Sequence, residues 1–485
     1  MQILVTGATG TIGGKLVPRL VERGHQVTCI TREPKRLDHY NWQEVNVVKA
    51  DVLDLESLRR VMQGIEVAYY LIHSMGGGKR GFIQRDEAGA KNFGLSAKEA
   101  GVQRIIYLGG LGQCEKYISP HLDSRQQVGD ILRASGVPIT EFRAPIVIGS
   151  GSMSFEMIRY LNERLPVLFT PKWIDTLCQP IAIENILEYL LVSLDEPLSV
   201  GSIFEIGGPD VLTYKKIMEE YAAARRLKRS FITLPFLITP LLAAGADILT
   251  PLPTPYLQIL IEGLRSEVIV HDPSAREVFD VKLIPYTHAV RQALQRDGSG
   301  EVERFWAGAQ VELQPGLTHR DTEGMFIEQR RTAIKADSKV VYALFQRIGG
   351  KHGWYYANWL WQLRGWLDEL VGGVGMKRGR ANPDILKEGD FLDGWRVEKV
   401  ETDRLIRLWF EMKAPGPAWL QFEAQPHSDE STLLILTAFF EPHGIAGLIY
   451  WYILYPFHLL IFRGISQFIQ RQAESISSHQ SRRAD

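Results

Sequence analysis

The first fourteen residues, MQILVTGATGTIGG, constrain the fold of this chain more than any other stretch. Residues 3–5 are apolar and uncharged, which predicts a strand buried on both faces. The pattern of residues 15–23 predicts a helix. Between them lies a glycine repeat with the spacing G-x-x-G-x-x-G, formed by Gly7, Gly10 and Gly13. The chain therefore opens with a predicted strand, a glycine turn and a helix.

Each glycine in this turn has a physical role. The first lets the chain turn sharply off the strand, the second lets backbone approach a pyrophosphate, and the third lets the helix pack close to the strand. Phosphates would bind the free N–H groups at the positive end of the helix. We therefore expect a dinucleotide-binding turn. Its expected cofactor contacts are Gly7, Thr9, Gly10, Thr11, Ile12 and Gly13.

The residues after the second predicted strand, 25–31, indicate which dinucleotide binds. NAD sites usually carry Asp or Glu here to bind the ribose 2′-hydroxyl. This chain has the basic sequence TREPKR, with Arg32, Lys35 and Arg36. A guanidinium suits a 2′-phosphate, which a carboxylate would repel. We expect NADP(H) in preference to NAD(H), with contacts from Arg32 and Arg36. The alternative is an ordinary solvated basic turn.

Predicted strands alternate with predicted helices as the chain continues. The further strands are 47–50, 67–72 and 104–108, and the helices are 56–63, 86–100 and 126–135. This alternation predicts an α/β fold with a doubly wound parallel sheet. Ligands bind beyond the carboxyl ends of such strands. The residues expected to contact the cofactor there are Asp51, Val52, His73 and Gly109.

Several segments resemble the short-chain dehydrogenase/reductase superfamily, and within it the extended and atypical NmrA-like branch. They are TGATGTIGG (6–14), the pair Asp51-Val52, ITEFRAPIVIGSG (139–151), QPIAIENIL (179–187) and FEIGGPDVLTYKKIM (204–218). The last two resemble the small substrate-covering lobe of that branch. The resemblance covers roughly residues 1–295. It implies an NAD(P)-binding Rossmann domain, and it specifies the reaction much less well.

The chain departs from the superfamily's acid/base motif, Tyr-x-x-x-Lys. The equivalent positions are His121 and Arg125, in HLDSR, and the superfamily's serine falls at Gly109 or Gly110. Arg125 can hydrogen-bond ribose and phosphate but cannot share a proton. His121 could donate a proton near neutral pH, because an ordinary histidine pKa is about 6.5. His121 and Arg125 are therefore the candidate catalytic residues, and Arg125 is also an expected cofactor contact.

Three other side chains are candidates near the expected nicotinamide. His73 and Ser74 follow the fourth strand, and Cys114 lies in the loop after the fifth. The alternative for each is a packed or hydrogen-bonded residue without a catalytic role. We expect His73 to contact the cofactor rather than to catalyse.

The composition narrows the class of protein. A chain of 485 residues that is 45% hydrophobic and 23% charged is typical of a soluble protein of two or three domains. With a net charge of −1 we expect no nucleic-acid partner. Cys29, Cys114 and Cys178 match no metal spacing, so we expect no metal and a reducing compartment. Because the first strand starts at residue 2, we expect no signal peptide and a cytoplasmic location.

We expect residues 1–230 to form the Rossmann domain with its extended elements, and residues 231–298 to complete it as an apolar helical substrate lobe. Prolines interrupt this lobe at positions 235, 240, 251, 253 and 255, leaving no segment long enough to span a bilayer. Such short helices would line an apolar substrate cleft or a domain interface. The glycine-containing run 297–300 is the expected linker.

Residues 301–475 are expected to form a second domain, followed by a disordered tail over 476–485. The predicted order is a strand (325–335), a helix (339–348), a Trp-rich helical stretch (354–370), four strands (395–401, 405–412, 419–425 and 433–440) and a long helix (445–472). This order, with ADSKVVYALFQRIGG and WYILYPFHLLIF, resembles the START-like (SRPBCC) helix-grip fold, an α+β fold. It also resembles the domain of unknown function that often follows NmrA-like domains in bacteria. The resemblance implies an apolar cavity for a hydrophobic small molecule.

The run 444–462 is near the length needed to span a membrane, but Pro456 and His458 lie inside it. We favour a buried helix; a membrane anchor, peripheral membrane contact and a membrane-associated location stay open.

The sequence is compatible with two main functional hypotheses. One is an NADP(H)-dependent oxidoreductase of a hydrophobic carbonyl, enone or quinone-like substrate. The other is a non-catalytic NADP(H) sensor, assembly factor or regulator with a lipophilic ligand. A membrane-tethered protein is a third.

Overall fold

The structure is a computed structural model that describes most of the chain. The described residues are 1–34, 37, 40, 42, 44–73, 78–112, 117–234, 254–294, 316–322, 324–376, 379–380, 382–428 and 431–484. For residues 78–80, 254–256, 316–322, 428 and 479–484 it describes the backbone only. The expected site residues Lys35, Arg36, Ser74 and Cys114 and the linker 297–300 lie outside the described residues. The chain divides into two compact units, Met1–Val311 and Glu312–Asp485.

The N-terminal unit contains strands and helices in alternation. Its strands are β1 (Gln2–Thr6), β2 (Gln26–Thr31), β3 (Val45–Lys49), β4 (Val67–Tyr70), β5 (Arg104–Gly110), β6 (Ile139–Ala144), β7 (Val147–Ile148), β8 (Val167–Thr170), β9 (Leu177–Cys178), β10 (Ile181–Ala182), β11 (Ile203–Glu205), β12 (Leu212–Thr213) and β13 (Ser230–Thr233). Its helices are α1 (Thr11–Glu22), α2 (Leu55–Val61), α3 (Gly78–Ala100), α4 (Pro120–Ala134), α5 (Met153–Arg164), α6 (Ile183–Val192), α7 (Tyr214–Ala224), α8 (Thr254–Gly263), α9 (Ser274–Val278) and α10 (Tyr286–Leu294).

Seven of these strands form one parallel sheet, in the order β11-β6-β5-β4-β1-β2-β3. In register, Ile3 lies beside Val27 on one side and Val67 on the other. The order reverses at β1, which places the carboxyl ends of β1, β2 and β4 around one crevice. The expected α/β class with a parallel Rossmann-like sheet is confirmed.

Helices cover both faces of this sheet. Successive side chains of β1 point to opposite faces, so Ile3 and Val5 belong to one core and Leu4 to another. The first core includes residues of α1 and α6, and the second includes residues of α2, α3 and α4. Both faces of β1 are therefore buried, as its uncharged sequence predicts.

A smaller lobe packs beside the sheet and has its own core. Three short strand pairs, β7–β10, β8–β13 and β9–β12, belong to it. Its core joins α5 and α7 to α10, through Phe155, Tyr221 and Val290. Residues on both sides of position 230 therefore share one core, in which the later helix α10 covers the apolar faces of α5 and α7.

The C-terminal unit is built on an antiparallel sheet. Its strands are β14 (Gly316–Thr322), β15 (Met325–Ile334), β16 (Phe391–Leu392), β17 (Trp395–Glu401), β18 (Leu405–Phe410), β19 (Ala418–Ser428) and β20 (Ser431–Phe440). Its helices are α11 (Ser338–Gln346), α12 (Asn358–Leu370) and α13 (Gly444–Ala484). The strand order is β14-β15-β20-β19-β18-β17-β16, with antiparallel pairing throughout. The sequence did not predict β14.

The long helix α13 covers one face of this sheet together with α11. Ile406 and Leu408, which alternate along β18 as predicted, share a core with Phe345 of α11 and Ile465 of α13. Asp337 caps α11 by accepting a hydrogen bond from the Lys339 amide at 2.8 Å. The shared core closes this face of the sheet with helices.

Helix α13 continues to Ala484, so the helix end predicted at Gln472 is wrong. No helix-breaking residue ends the helix at 472, because residues 465–484 contain neither Gly nor Pro. By length and composition, its portion Gly444–Ser478 is the one helix in the described part of the chain that could cross a membrane.

Candidate functional site

A cavity of about 390 Å³ lies at the carboxyl ends of β1, β2, β3 and β4. This is the edge where parallel α/β sheets bind their ligands. Seven of the expected cofactor contacts line it, namely Gly7, Thr9, Gly10, Arg32, Asp51, Val52 and His73. The structure therefore brings together residues that are up to 66 positions apart in the sequence.

The glycine turn has the geometry that its spacing predicts. Gly7 has φ of +69°, and a Cβ there would lie 2.9 Å from the carbonyl oxygen of Leu71. A Cβ on Gly13 would lie 2.4 Å from the carbonyl oxygen of Gly7, so only glycine allows α1 to approach β1 this closely. Gly10 caps α1 and donates its N–H to the Gly7 carbonyl at 2.9 Å. The turn thus presents the start of α1 to the cavity.

The side chains of Thr11 and Ile12, two other expected cofactor contacts in this turn, contact the protein itself. The Thr11 hydroxyl donates to the Gly151 carbonyl at 2.8 Å, and Ile12 packs against the hydrophobic core. Thr11, Ile12 and Gly13 are not among the residues that line the cavity. Their backbone N–H groups belong to the first turn of α1, where a helix has no carbonyl to satisfy them. Such N–H groups, with the helix dipole, favour a phosphate.

Where the cavity meets the ends of β2 and β3, it is lined by a basic residue, Arg32, and an acidic residue, Asp51. Arg32 follows β2 and is exposed, and it makes no ion pair with any described residue. The Asp51 carboxylate accepts a hydrogen bond from the Leu53 amide at 3.0 Å, which orients the loop after β3. Thr31 and Leu53 also line this end, although the sequence did not single them out. Arg32 is thus free to meet an anion.

Arg85 is the charged lining residue that sequence reasoning missed. It lies on α3 and reaches the same cavity as His73 and Gly7. The predicted helix began at Asp86, one residue too late to include Arg85, whereas α3 begins at Gly78. The signal that could have found it is the basic character of the first turns of this helix, KRGFIQR. The lining of the cavity therefore includes two arginines, Arg32 and Arg85.

Two histidines meet beyond the end of β4. His73 and His121 lie with their ring centroids 4.5 Å apart, although they are 48 residues apart in the chain. His73 Nδ1 lies 3.4 Å from the Asp86 Oδ2, and the Asp86 side chain is buried. His121 stands in the first turn of α4. The structure thereby adds His121 to the cavity end that His73 lines.

Burial controls the charge of both imidazoles. It lowers the pKa of His73 below the usual 6.5, although the Asp86 carboxylate opposes this. Burial lowers the pKa of His121 well below 6.5, and His73 and the Arg125 guanidinium lower it further. Both rings are therefore neutral at pH 7. His121 therefore lacks the ordinary pKa that we assumed for it, because burial disfavours its charged form.

Arg125 is held against β5 rather than aimed into the cavity. Its Nη2 donates to the Leu108 carbonyl, and its guanidinium lies 5.6 Å from the centre of the Tyr107 ring. The Tyr107 hydroxyl donates in turn to the Arg125 carbonyl at 2.7 Å. Gly109 is buried beside this ring and does not line the cavity. At these positions the chain presents neither a phenol nor a serine hydroxyl.

The C-terminal unit has an open cleft of about 520 Å³. Trp409, Phe410 and Met412 line it from β18 and the residues that follow, and His443 lines it from the start of the last helix. Within the described residues, no group of three or more His, Cys, Asp or Glu side chains could hold a metal ion.

Two family models match separate parts of the chain. Residues 7–148 match the NAD(P)H-binding family, and residues 323–465 match a protein family of unknown function, DUF2867. The mitochondrial NADH dehydrogenase [ubiquinone] 1 alpha subcomplex subunit 9 of Arabidopsis thaliana is 27% identical over 298 residues, which are 58% of this chain and 74% of the relative. Other curated relatives are matched over only 31% or 44% of their length.

Solved structures share the fold of the N-terminal unit. The triphenylmethane reductase of Citrobacter sp. has a TM-score of 0.51 and 19% identity, and the match covers 61% of this chain and all of that one. The NADPH-dependent quinone oxidoreductase QOR2 of Escherichia coli has a TM-score of 0.50 and 19% identity, covering 60% of this chain and all of that one. With the glycine turn and the match of residues 7–148 to the NAD(P)H-binding family, these structures show that the N-terminal unit has an NAD(P)-binding Rossmann fold.

Proposed function

We propose that this protein is an NADP(H)-dependent reductase of hydrophobic quinone- or enone-like compounds. The proposal rests on one observation above all: the cofactor cavity ends at a pair of half-buried, neutral histidines, His73 and His121. NADPH supplies a hydride when it is bound in such a cavity. The residues at its end then decide which acceptor can take that hydride.

The charge at the other end of the cavity supports NADP(H) over NAD(H). Arg32 stands directly after β2, where a carboxylate would bind the ribose hydroxyls of NAD. Its guanidinium has no ion-pair partner among the described residues and can hydrogen-bond a 2′-phosphate through two N–H groups.

The neutral histidines favour an acceptor that needs no strong acid. A reduced ketone is an alkoxide, whose conjugate acid is about as weak an acid as water. It must therefore receive a proton as the hydride arrives, and a neutral imidazole donates one poorly. A reduced quinone is a hydroquinone anion, whose O–H resembles that of tyrosine with a pKa of about 10. It can leave as the anion and take its proton from water.

The roles of the chain's own residues follow from this geometry. The N–H of neutral His121 can donate a hydrogen bond to the acceptor oxygen, as an uncharged electrophile. Asp86 beside His73 Nδ1 favours the tautomer with the proton on that nitrogen, which orients the His73 ring next to His121. Arg125 is a positioning residue, since its guanidinium is bound to the Leu108 carbonyl on β5.

The names of two structural neighbours agree with this class of substrate. One is an NADPH-dependent quinone oxidoreductase complexed with NADPH, and the other reduces triphenylmethane dyes, which are hydrophobic hydride acceptors. We further propose that the C-terminal unit has the START-like helix-grip fold and binds a hydrophobic ligand. The long helix on one face of an antiparallel sheet supports this.

The test is a substrate panel with the purified full-length protein. NADPH oxidation is followed at 340 nm with quinones, enones and simple ketones of matched hydrophobicity, and NADH is compared at the same concentration. We expect turnover with quinones or enones and little with ketones. Faster turnover of ketones than of quinones would overturn the assignment of the substrate class.

The alternative is a non-catalytic NADP(H)-sensing or assembly protein. The replacement of the tyrosine–lysine pair by His121 and Arg125 motivates it, and the likeness to an NADH dehydrogenase [ubiquinone] subunit is compatible with it. It predicts tight NADPH binding without oxidation by any compound of the panel. Partner proteins captured from the native source would then differ between NADPH-loaded and NADP⁺-loaded protein.

A further inference from the structure

One face of α13 is apolar and exposed along its first half. Side chains at helical spacing form it, with exposed fractions between 39% and 60%: Ile445, Ile449, Tyr452, Ile453, Phe457 and Leu460. A surface helix of a soluble protein normally places polar residues on this face. The stripe extends over four helical turns and is therefore more than a scattered apolar residue.

The neighbouring helix α12 has a second exposed apolar stripe. Trp359 and Trp366 are 64% and 57% exposed, and Leu370 is 64% exposed. The two helices lie side by side, because Arg364 of α12 donates to the Tyr450 hydroxyl of α13 at 3.3 Å. At the other end Tyr356 lies against α13 so closely that only glycine fits at position 464. Together the two stripes form the apolar patch, defined by Trp359, Trp366, Leu370, Ile449, Tyr452 and Ile453.

The opposite face of α13 packs against the rest of the C-terminal unit. Trp451 is buried and stacks on Phe326 and Phe440, with ring centroids 5.4 and 5.6 Å away. Further along, Ile465 and Ile469 are fully buried in the core of the unit. A helix held this way by the sheet cannot cross a bilayer without losing these contacts. Its free face can only lie along a surface.

The charges on α13 beside its apolar stripe have one sign, whereas α12 carries the buried Asp368 and the half-buried Glu369 next to Leu370. Residues 442–473 contain no Asp or Glu, and their two arginines, Arg463 and Arg471, are exposed. Both follow the apolar stripe on the same helical face, at the spacing 460, 463, 467, 471. Tryptophan and tyrosine with arginine beside them are the side chains that membrane interfaces favour. Anionic headgroups would attract these two cations.

We propose that the apolar patch docks flat on the surface of an anionic lipid bilayer. The tryptophans and isoleucines enter the boundary between headgroups and acyl chains, and Arg463 and Arg471 contact the phosphates. A hydrophobic substrate would then be available from the same bilayer, but the docking does not depend on the proposed reductase activity. It is a property of the C-terminal unit alone.

The test uses the full chain with vesicles and needs no activity assay. Sedimentation with phosphatidylcholine vesicles is compared with vesicles that also contain phosphatidylglycerol. We expect binding that is stronger with the anionic lipid and weaker at high salt. The double variants Trp359→Gln/Trp366→Gln and Tyr452→Gln/Ile453→Gln should each lower the partition coefficient at least about tenfold. Leu198→Gln, at a side chain of the other unit that is 70% exposed, should leave it unchanged.

A second readout separates docking from indirect effects. Brominated lipids quench tryptophans that enter the bilayer, so wild-type fluorescence should fall on binding. Trp359→Phe/Trp366→Phe should still bind but lose most of this quenching. Absence of binding to both kinds of vesicle overturns the proposal. A concentration-dependent dimer that the Gln variants abolish also overturns it. The proposal is likewise overturned if only detergent, and neither salt nor carbonate, extracts the protein from cell membranes.

Discussion

His73 and His121 face each other with ring centroids 4.5 Å apart and an angle of 51° between their planes. The pair lies at one end of the cofactor cavity, and burial keeps both rings neutral at pH 7. Two neutral imidazoles can donate and accept hydrogen bonds without adding charge to a site that binds an anionic cofactor. At the positions of the tyrosine and lysine of the Tyr-x-x-x-Lys motif this chain has His121 and Arg125.

Replacing His121 with Phe keeps the ring volume and removes the N–H. If the N–H stabilises the acceptor oxygen during reduction, kcat should fall about 10²-fold, the usual effect of losing one such donor. The affinity for NADPH should stay within about twofold, because His121 does not line the cavity at the phosphates. Stopped-flow single turnovers and calorimetry measure the two quantities. His288→Phe, at an exposed histidine of the same unit, is the matched control; an equal loss in both variants would contradict the assigned role.

The same variant should change how stability depends on pH. The pKa of His121 in the folded protein lies well below the 6.5 of an unfolded chain. Between 6.5 and the lowered value the unfolded state therefore binds more protons, so stability decreases as the pH falls from about 7 to 5. We expect His121→Phe to lose less Tm over this interval than the wild type. Parallel curves for the two proteins would show that the imidazole is not buried in its neutral form.

Gly13→Ala should disrupt the glycine turn. The new Cβ would lie 2.4 Å from the Gly7 carbonyl oxygen, so α1 must move away from β1. We expect a loss of about 1–3 kcal/mol in stability and of at least about tenfold in NADPH affinity. Gly81→Ala is the matched control, because a Cβ on this helical glycine meets nothing within 4 Å. It should keep the affinity and gain up to about 1 kcal/mol. Unchanged NADPH binding by Gly13→Ala would contradict the turn as the phosphate site.

Arg32→Asp should change the cofactor preference. A carboxylate after β2 repels a 2′-phosphate and can accept hydrogen bonds from the ribose hydroxyls of NADH. We expect NADPH affinity to fall by about 1.5–3 kcal/mol, the usual range for a hydrogen bond to a charged group, while NADH affinity stays equal or improves. Calorimetry with both cofactors tests this. Arg60→Asp, a charge reversal at an exposed residue outside the cavity, controls for net charge. Equal losses of affinity for NADPH and NADH would mean that Arg32 does not distinguish a 2′-phosphate from a 2′-hydroxyl.

Glu423 of β19 should destabilise the C-terminal unit at alkaline pH. Burial raises the pKa of this carboxyl to about 7, although Gln425 and Arg404 oppose the shift. Between the unfolded value of 4.5 and about 7 the folded state binds more protons, so stability is lost as the pH rises through this window. We expect Glu423→Gln to exceed the wild type by up to about 3 kcal/mol at pH 8 and by little at pH 4.5.

Tryptophan fluorescence can follow this change. Eight of the eleven tryptophans belong to the C-terminal unit, at positions 354, 359, 361, 366, 395, 409, 419 and 451. Thermal unfolding at pH 5 and pH 8 should therefore show the difference between Glu423→Gln and the wild type. A wild type that is as stable as the variant at pH 8 would show that the carboxylate is satisfied when charged.

Local patterns predicted the parts of this protein that depend on local physics. The run of residues 3–5 predicts β1, and the glycine spacing predicts the turn, because strand burial and positive φ are set within a few residues. The same holds for the Asp337 cap and for the alternation along β18. Boundaries were less accurate: α3 begins eight residues before the predicted start, and Arg85 was missed for that reason.

Other features follow from distant parts of the chain coming together. The sequence by itself determined that a dinucleotide turn opens an α/β domain, since its glycines work through their immediate neighbours. Only the tertiary structure decided that His73 meets His121, that both stay neutral, and that α12 lies beside α13 with their apolar faces exposed. The charge of an imidazole and the exposure of a helix face depend on everything packed around them, and no local pattern of residues contains that information.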